Sequence, residues 1–199
     1  MSLQIQPNVY IGLLHYPVYN KNMDVISTSV TNLDIHDIAR ISCTYGVRRY
    51  YVIHPLETQR KLIGDILDYW QKGYGAQYNM DRKTAFDKVA LIPSLEETLA
   101  EIGRENGRDP VLITTDARVY PNTIGYQDMR QKFADGNPYL VLFGTGWGIE
   151  KDTMQKSDYI LEPVYGPGEY NHLSVRSAVA IILDRLLGEQ WWGQAGVLE

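Results

Sequence analysis

The sequence predicts an α/β fold, a mostly parallel sheet covered by helices on both faces. Three observations carry this expectation. Six short apolar runs punctuate the chain, most of them continuous rather than alternating, as suits strands buried on both faces. Helical patterns fall between the runs, so strands and helices alternate almost throughout. The length, 199 residues of which 44% are hydrophobic, fits a single domain over residues 1–199.

The runs occupy 9–14, 50–54, 89–92, 111–114, 139–143 and 159–161. After Asn32, the residues Leu33, Ile35, Ile38 and Ile41 recur near helical spacing until Gly46. Pro55 opens a second helix with Leu62, Ile63, Ile66, Leu67 and Trp70 on one face, ended by Gly73 and Gly75. Ser94-Leu95-Glu96-Glu97 has the pattern of a capping box, in which the serine oxygen accepts from the amide three residues on. Asn106-Gly107 stops that helix. The last helix is expected from near Asn171 to Leu187, with Gly188 as its stop. Its residues Val175, Val179, Ile181, Ile182, Leu183, Leu186 and Leu187 leave little of the circumference polar. Such a helix must be buried nearly all round, either by a partner subunit or in the monomer core. The polar, glycine-containing stretch 74–83 reads as a mobile excursion.

Composition excludes several classes. The apolar content is that of a globule rather than a disordered chain. No stretch approaches the ~18 apolar residues of a membrane helix. The first basic residue is Lys21, so no secretory signal is expected and the chain is placed in the cytosol. One cysteine, Cys43, allows neither an internal disulfide nor a cysteine-built zinc site. His15, His36, His54 and His172 show no metal-ligand spacing. The net charge of −5 is unlike that of a non-specific nucleic-acid binder, although Arg48-Arg49, Arg60-Lys61 and Arg82-Lys83 form local basic pairs.

In a parallel sheet, ligands bind beyond the carboxyl ends of the strands. Three segments at such ends are chemically unusual: Thr114-Thr115-Asp116-Ala117, the turn Gly144-Thr145-Gly146-Trp147-Gly148, and the long loop 162–171 with two prolines and two glycines. The glycine turn is neither a dinucleotide fingerprint, since Ile149 stands where glycine is needed, nor a P-loop. It reads as a tight strand-to-helix turn or as a place where backbone closely approaches a ligand. The proline- and glycine-rich loop reads as ordered without regular structure, as pocket-building loops are. No G-x-S-x-G elbow supports a hydrolase.

At these segments the chain resembles the SPOUT superfamily, the α/β-knot RNA methyltransferases that use S-adenosylmethionine (SAM), and within it a small bacterial branch with SpoU-like motifs. Three stretches carry the likeness. Asp34-Ile35-His36-Asp37-Ile38-Ala39-Arg40 through Tyr45-Gly46 resembles the first motif, Leu140 through Ile149 the second, and Tyr159-Ile160-Leu161-Glu162-Pro163 through Asn171–Ala180 the third. The chain departs from the pattern in three places. Asp34 stands for asparagine, the glycine turn lacks its usual acid, and Leu173-Ser174-Val175-Arg176 replaces Leu-Asn-Val-Ser.

The resemblance implies a SAM-dependent methyltransferase acting on a tRNA or rRNA nucleotide. It implies a C-terminal deep trefoil knot and a homodimer through the knot region and last helix, with no metal and no membrane. The departures leave a second reading, a SAM- or nucleotide-binding module of the same fold without transfer activity. The residues implied for the cofactor are Thr114, Thr115, Asp116, Phe143, Gly144, Thr145, Gly146, Gly148, Ile160, Leu161, Pro163, Val164, Gly166, Tyr170, Asn171, Leu173 and Ser174. Among them Leu161, Val164 and Leu173 offer apolar walls to adenine, and Asp116, with Glu162, suits a cationic sulfonium. Arg40 is the implied catalytic residue, by its place in the first motif, engaging RNA phosphate or the nucleophile. Arg48, Arg49 and Arg176 are implied for the substrate, Arg176 either on a phosphate or paired with an acid across the dimer. Asn171 reads as a helix N-cap first and a ligand contact second.

Overall fold

The computed structural model describes residues 7–189; the two ends of the expected 1–199 domain lie outside the described residues. In chain order the elements are β1 (Val9–Leu14), β2 (Val18–Tyr19), β3 (Val25–Ile26), α1 (Asn32–Thr44), β4 (Tyr50–Ile53), α2 (Glu57–Gln71), α3 (Tyr74–Tyr78), α4 (Met80–Phe86), β5 (Val89–Ile92), α5 (Leu95–Asn106), β6 (Val111–Thr115), β7 (Thr123–Ile124), α6 (Tyr126–Phe133), β8 (Tyr139–Gly144), α7 (Lys151–Gln155), β9 (Tyr159–Leu161) and α8 (Val175–Leu187). All six apolar runs are strands.

Seven strands form one sheet in the order β5-β4-β1-β8-β6-β9-β7, every pairing parallel. β2 and β3 form a separate antiparallel hairpin. β1 and β4 are buried along their whole length, and β8 at every residue but Gly144. Alternate residues of β1 serve opposite faces. Val9, Ile11 and Leu13 join a core with Ile38, Met129 and Val179 of α1, α6 and α8, whereas Tyr10 and Leu14 join a second core with Ile102 and Met154 of α5 and α7. Helices therefore cover both faces, as the continuous apolar runs require.

The chain lays β4 and β5 on one side of β1 and β8, β6, β9 and β7 on the other. The order reverses between β1 and β8, whose carboxyl ends lie side by side with Leu14 opposite Gly144. That reversal creates the crevice in which ligands of open parallel sheets bind.

Two expectations are corrected. The stretch 74–83 is helical, in α3 and α4. Asn79 caps α4 by accepting from the Arg82 amide at 2.9 Å, and the missing Cβ of Gly75 lets α3 close to within contact of the Trp70 ring. The last helix starts at Val175, with Ser174 as its N-cap accepting from the Ser177 amide at 3.3 Å. Asn171 is not the cap; its Nδ2 donates to the Ala117 carbonyl at 2.7 Å. α8 buries Val179, Ile182, Leu183 and Leu186, and of its residues only Ser177 is exposed. Among the described residues no helix is long and apolar enough to cross a membrane.

Candidate active site

The reversal point is closed by a chain of hydrogen bonds running from β1 to the glycine turn. Thr145 Oγ1 donates to the Leu14 carbonyl at 3.1 Å. With its proton so used, it accepts from Thr28 Oγ1 at 2.5 Å. Thr28 Oγ1 in turn accepts from His15 Nδ1 at 3.0 Å. The Thr28 carbonyl can only accept, so His54 Nε2 donates to it at 3.0 Å. His54 Nδ1 accepts from the Leu56 amide at 3.1 Å. Accepting at Nδ1 holds the His54 imidazole neutral, and the two rings stack with centroids 5.4 Å apart. His15 is wholly buried, and its Nε2 has no partner. Burial, then the neighbouring His54, lowers the His15 pKa to about 4. Burial also lowers that of His54.

The turn beyond Thr145 needs its glycines. Gly146 has φ +62° and Gly148 φ +109°, both in the left-handed region. A Cβ on Gly146 would lie 2.7 Å from the Tyr19 carbonyl, which accepts from the Trp147 amide at 2.8 Å. One on Gly148 would lie 3.4 Å from Asp116 Oδ2. The glycine turn is therefore pressed against both the β2 end and the segment following β6.

The end of β6 and the residues after it join the other two loops. Thr115 Oγ1 donates to the Leu142 carbonyl at 3.1 Å, Asp116 underlies Gly148, and Ala117 receives Asn171 from the long loop. Between Pro163 and Ser174 no backbone amide donates to another backbone group among the described residues. The segment 165–170 is exposed there, with Val164 and Leu173 flanking it. This suits a ligand read by backbone groups, since that stretch makes no backbone hydrogen bond as donor among the described residues and has the apolar Val164 and Leu173 beside it.

Comparison with known proteins identifies the family. The sequence pattern of the SAM-dependent RNA methyltransferase family matches residues 8–188, nearly the whole described chain. The chain belongs to that family. It is 46% identical over 185 residues to an uncharacterized protein of Aquifex aeolicus, covering 92% of this chain and 90% of the relative. It is 43% identical over 182 residues to a tRNA (guanine-N(1)-)-methyltransferase of Oleidesulfovibrio alaskensis, covering 92% of this chain but 42% of that longer protein. In structure it is similar to the SpoU methyltransferase AviRb of Streptomyces viridochromogenes, solved with its cofactor AdoMet, with a TM-score of 0.56 and 15% identity over 94% of this chain and 62% of that one. The sheet and its helical covering are those of the SpoU-type SPOUT fold.

For a SAM-dependent methyltransferase, the structure brings together most of the cofactor residues implied by the motifs. Thr114, Thr115 and Asp116, then Phe143, Gly144, Thr145, Gly146 and Gly148, and the residues named between Ile160 and Ser174 all sit at or beyond the carboxyl ends of the adjoining β8, β6 and β9. Within that group Phe143, Ile160 and Leu161 are buried in the cores rather than open to a ligand, Thr114 is wholly buried with its hydroxyl on Ser157 at 3.1 Å, and Pro163 is buried as well. The two acids are already engaged. Asp116 pairs with Arg118 at 3.0 Å, and Glu162 Oε1 accepts from the Tyr126 amide at 3.0 Å, at the start of α6.

The arginines divide. Arg176 reaches Asp34 at 2.6 Å and Asp37 at 3.4 Å, so the acids it meets belong to its own chain and join α8 to α1. Arg40 is exposed on α1 beside His36, six residues past Asp34, which is ~9 Å down the helix axis at 1.5 Å per residue. Arg48 and Arg49 precede β4 and so lie at the amino ends of the strands, the opposite end of the sheet from the loops; Arg49 pairs there with Glu101 at 3.6 Å. Within one protomer the structure does not bring Arg48 or Arg49 to the site. Thr28, His54 and Arg118 are the site residues that sequence motifs did not reveal, whereas His15 opens the stretch 15–20, whose place after the first strand suits part of a target-base pocket. The Asp116-x-Arg118 spacing was the one readable signal among them.

Proposed function

We propose that this chain transfers a methyl group from SAM to a nucleotide of RNA at the junction of β1, β8 and β6, and that tRNA, named for its longer relatives, is the first RNA class to test. The observation that carries the site is the convergence of the glycine turn, the Thr114–Ala117 segment and the 162–174 loop on one crevice. The turn 144–148 and the loop 161–174 hold the cofactor, mostly through backbone groups, with Val164 and Leu173 against the adenine. SAM, when bound, supplies a methyl on a cationic sulfur. The protein holds donor and acceptor in line, and such positioning contributes up to ~7–11 kcal/mol of the barrier.

Arg40, through its planar guanidinium, engages RNA phosphate or the attacking oxygen or nitrogen. It acts as an electrostatic and orienting group. The proton lost by the acceptor leaves to a substrate group or solvent rather than to arginine. The half-buried outer side of α8 and the exposed Leu33 and Trp147 support a homodimer through α8 and the loops. The resemblance to the SPOUT superfamily carries the reading that the C-terminal segment is threaded as a trefoil knot. A cytoplasmic location accompanies an RNA-modifying role.

The test is purified protein with methyl-labelled SAM and total bacterial RNA, fractionated afterwards. Label in an RNA fraction, most strongly tRNA, is expected. SAM binding by calorimetry with no label in any RNA would overturn the transfer reading and leave a cofactor-binding module. Light scattering checks the dimer.

A further inference from the structure

A cavity of about 480 Å³ opens between the β2–β3 hairpin, the 118–122 segment and α7, on the face of the sheet that carries α5 and α7. Its floor is apolar, made by the buried Ile149, Met154 and Ile160. Tyr19 and Tyr120 form walls, and the Arg118 and Lys151 side chains stand among the lining groups.

Two features show that these groups are held in place. Asp116, whose side chain is 4% exposed, grips Arg118 by both Nε and Nη2 at 3.0 Å and accepts from the Arg118 amide at 2.8 Å. The same carboxylate accepts from the Tyr120 hydroxyl at 3.3 Å. A buried carboxylate thus fixes one cation and one ring of the cavity, while three of the five guanidinium N–H donors take no part in that fork. The Tyr19 hydroxyl is fixed as well, accepting from the Lys151 amide at 3.1 Å. Orienting long side chains in advance lowers the entropy cost of binding.

From this we infer that the cavity is a second ligand site that takes a nucleotide, distinct from the cofactor loops but sharing Asp116 with them. The base lies on the apolar floor against the tyrosine rings, whose faces accept any base. The amides of Asn122 and Gln155 reach its polar edge. The phosphate meets Arg118 and Lys151, the bidentate geometry of guanidinium suiting its oxygens. The shared chemistry is a nucleoside monophosphate unit, either free or as one residue of the RNA; the second source rests on the methyltransferase reading.

The experiment titrates the protein, saturated with S-adenosylhomocysteine to occupy the cofactor site, with each of the four ribonucleoside 5′-monophosphates and with single-stranded hexauridylate, followed by calorimetry. At least one of these probes binds. Arg118→Gln and Lys151→Glu each weaken it about tenfold. Because Arg118→Gln strands the buried Asp116, the exposed Asn122→Trp, which fills the cavity mouth, serves as a second variant and also abolishes binding. Hexamer binding well above that of the monophosphates makes RNA the source; equal binding makes it a free nucleotide, and both support the site. No binding by any probe, or binding unchanged in Lys151→Glu and Asn122→Trp, overturns it. Loss of S-adenosylhomocysteine binding alone counts against the methyltransferase reading, since the monophosphate titration still reads the cavity.

Discussion

The Arg176 guanidinium lies 2.6 Å from the Asp34 carboxylate and so locks the first turn of α8 to the first turn of α1. Asp34 is nearly buried, its side chain 7% exposed, and its other oxygen accepts from Thr31 Oγ1 at 2.6 Å. The stretches implied as first and third motifs are thereby joined in one protomer. Removing Arg176 leaves a buried carboxylate without its counter-charge, which costs more than an exposed pair is worth. Because Arg176 is itself partly exposed, Arg176→Met is expected to lose about 2 kcal/mol. Urea denaturation of Arg176→Met and of the double variant with Asp34→Asn checks this. The double variant should recover part of the loss; a single variant as stable as the parent would show the pair to be idle.

The glycine turn predicts an effect on cofactor affinity. Gly146→Ala places a methyl 2.7 Å from a backbone carbonyl, at φ +62°. The turn must shift, at a cost of about 1–3 kcal/mol. The expected result is roughly tenfold weaker SAM binding by calorimetry, with a fall of a few degrees in melting temperature. Gly166→Ala, in open space on the long loop, is the control and should leave the fold unchanged.

Acid stability follows from the buried histidines. His15 binds its proton near pH 4 in the folded chain and at 6.5 when unfolded. Between those values the unfolded state carries more protons, so stability falls as pH drops from 6.5 towards 4. The full effect for His15 is about 3 kcal/mol, and His54 and His36, lowered by burial, act in the same direction. Asp135, lowered through its Asn137 and Tyr139 hydrogen bonds, acts only below its ordinary 3.8. Denaturation midpoints at pH 7.5, 6, 5 and 4.5 check the slope. His15→Gln should flatten it; a flat profile in the parent would mean that His15 is not buried neutral.

Much of this architecture was legible because it rests on local chemistry. Continuous apolar runs gave the strands, and Ser94 with Glu97 marked α5, where the serine does accept from the Glu97 amide at 3.2 Å. The pocket-forming loops were visible as clusters of glycine and proline. Other features depend on contacts that no short window contains. Thr28 lies in a segment without motif, yet its hydroxyl and carbonyl join β1, β4 and β8. Asn171 and Ser174 are equally good capping types, and the choice between them falls to Ala117, 54 residues away, which claims the asparagine. The two-residue strands β2, β3 and β7 are too short for any alternation to register.

Arg40 provides the sharpest test of the transfer chemistry. It is exposed, so its replacement costs the fold little. It lies about two turns along α1 and away from the loops proposed to hold SAM, so cofactor affinity should also be unchanged. If it engages the RNA phosphate or the attacking atom, Arg40→Ala loses an interaction present in the transition state, and turnover with RNA should fall by ~100-fold or more. Arg40→Lys keeps the charge but not the planar fork, and should restore part of the rate if charge suffices and almost none if bidentate contact is required. Single-turnover methylation at saturating SAM, beside calorimetric SAM affinity, separates these outcomes. Unchanged turnover in Arg40→Ala would remove this residue from the mechanism. Impaired SAM binding would move its role to the cofactor.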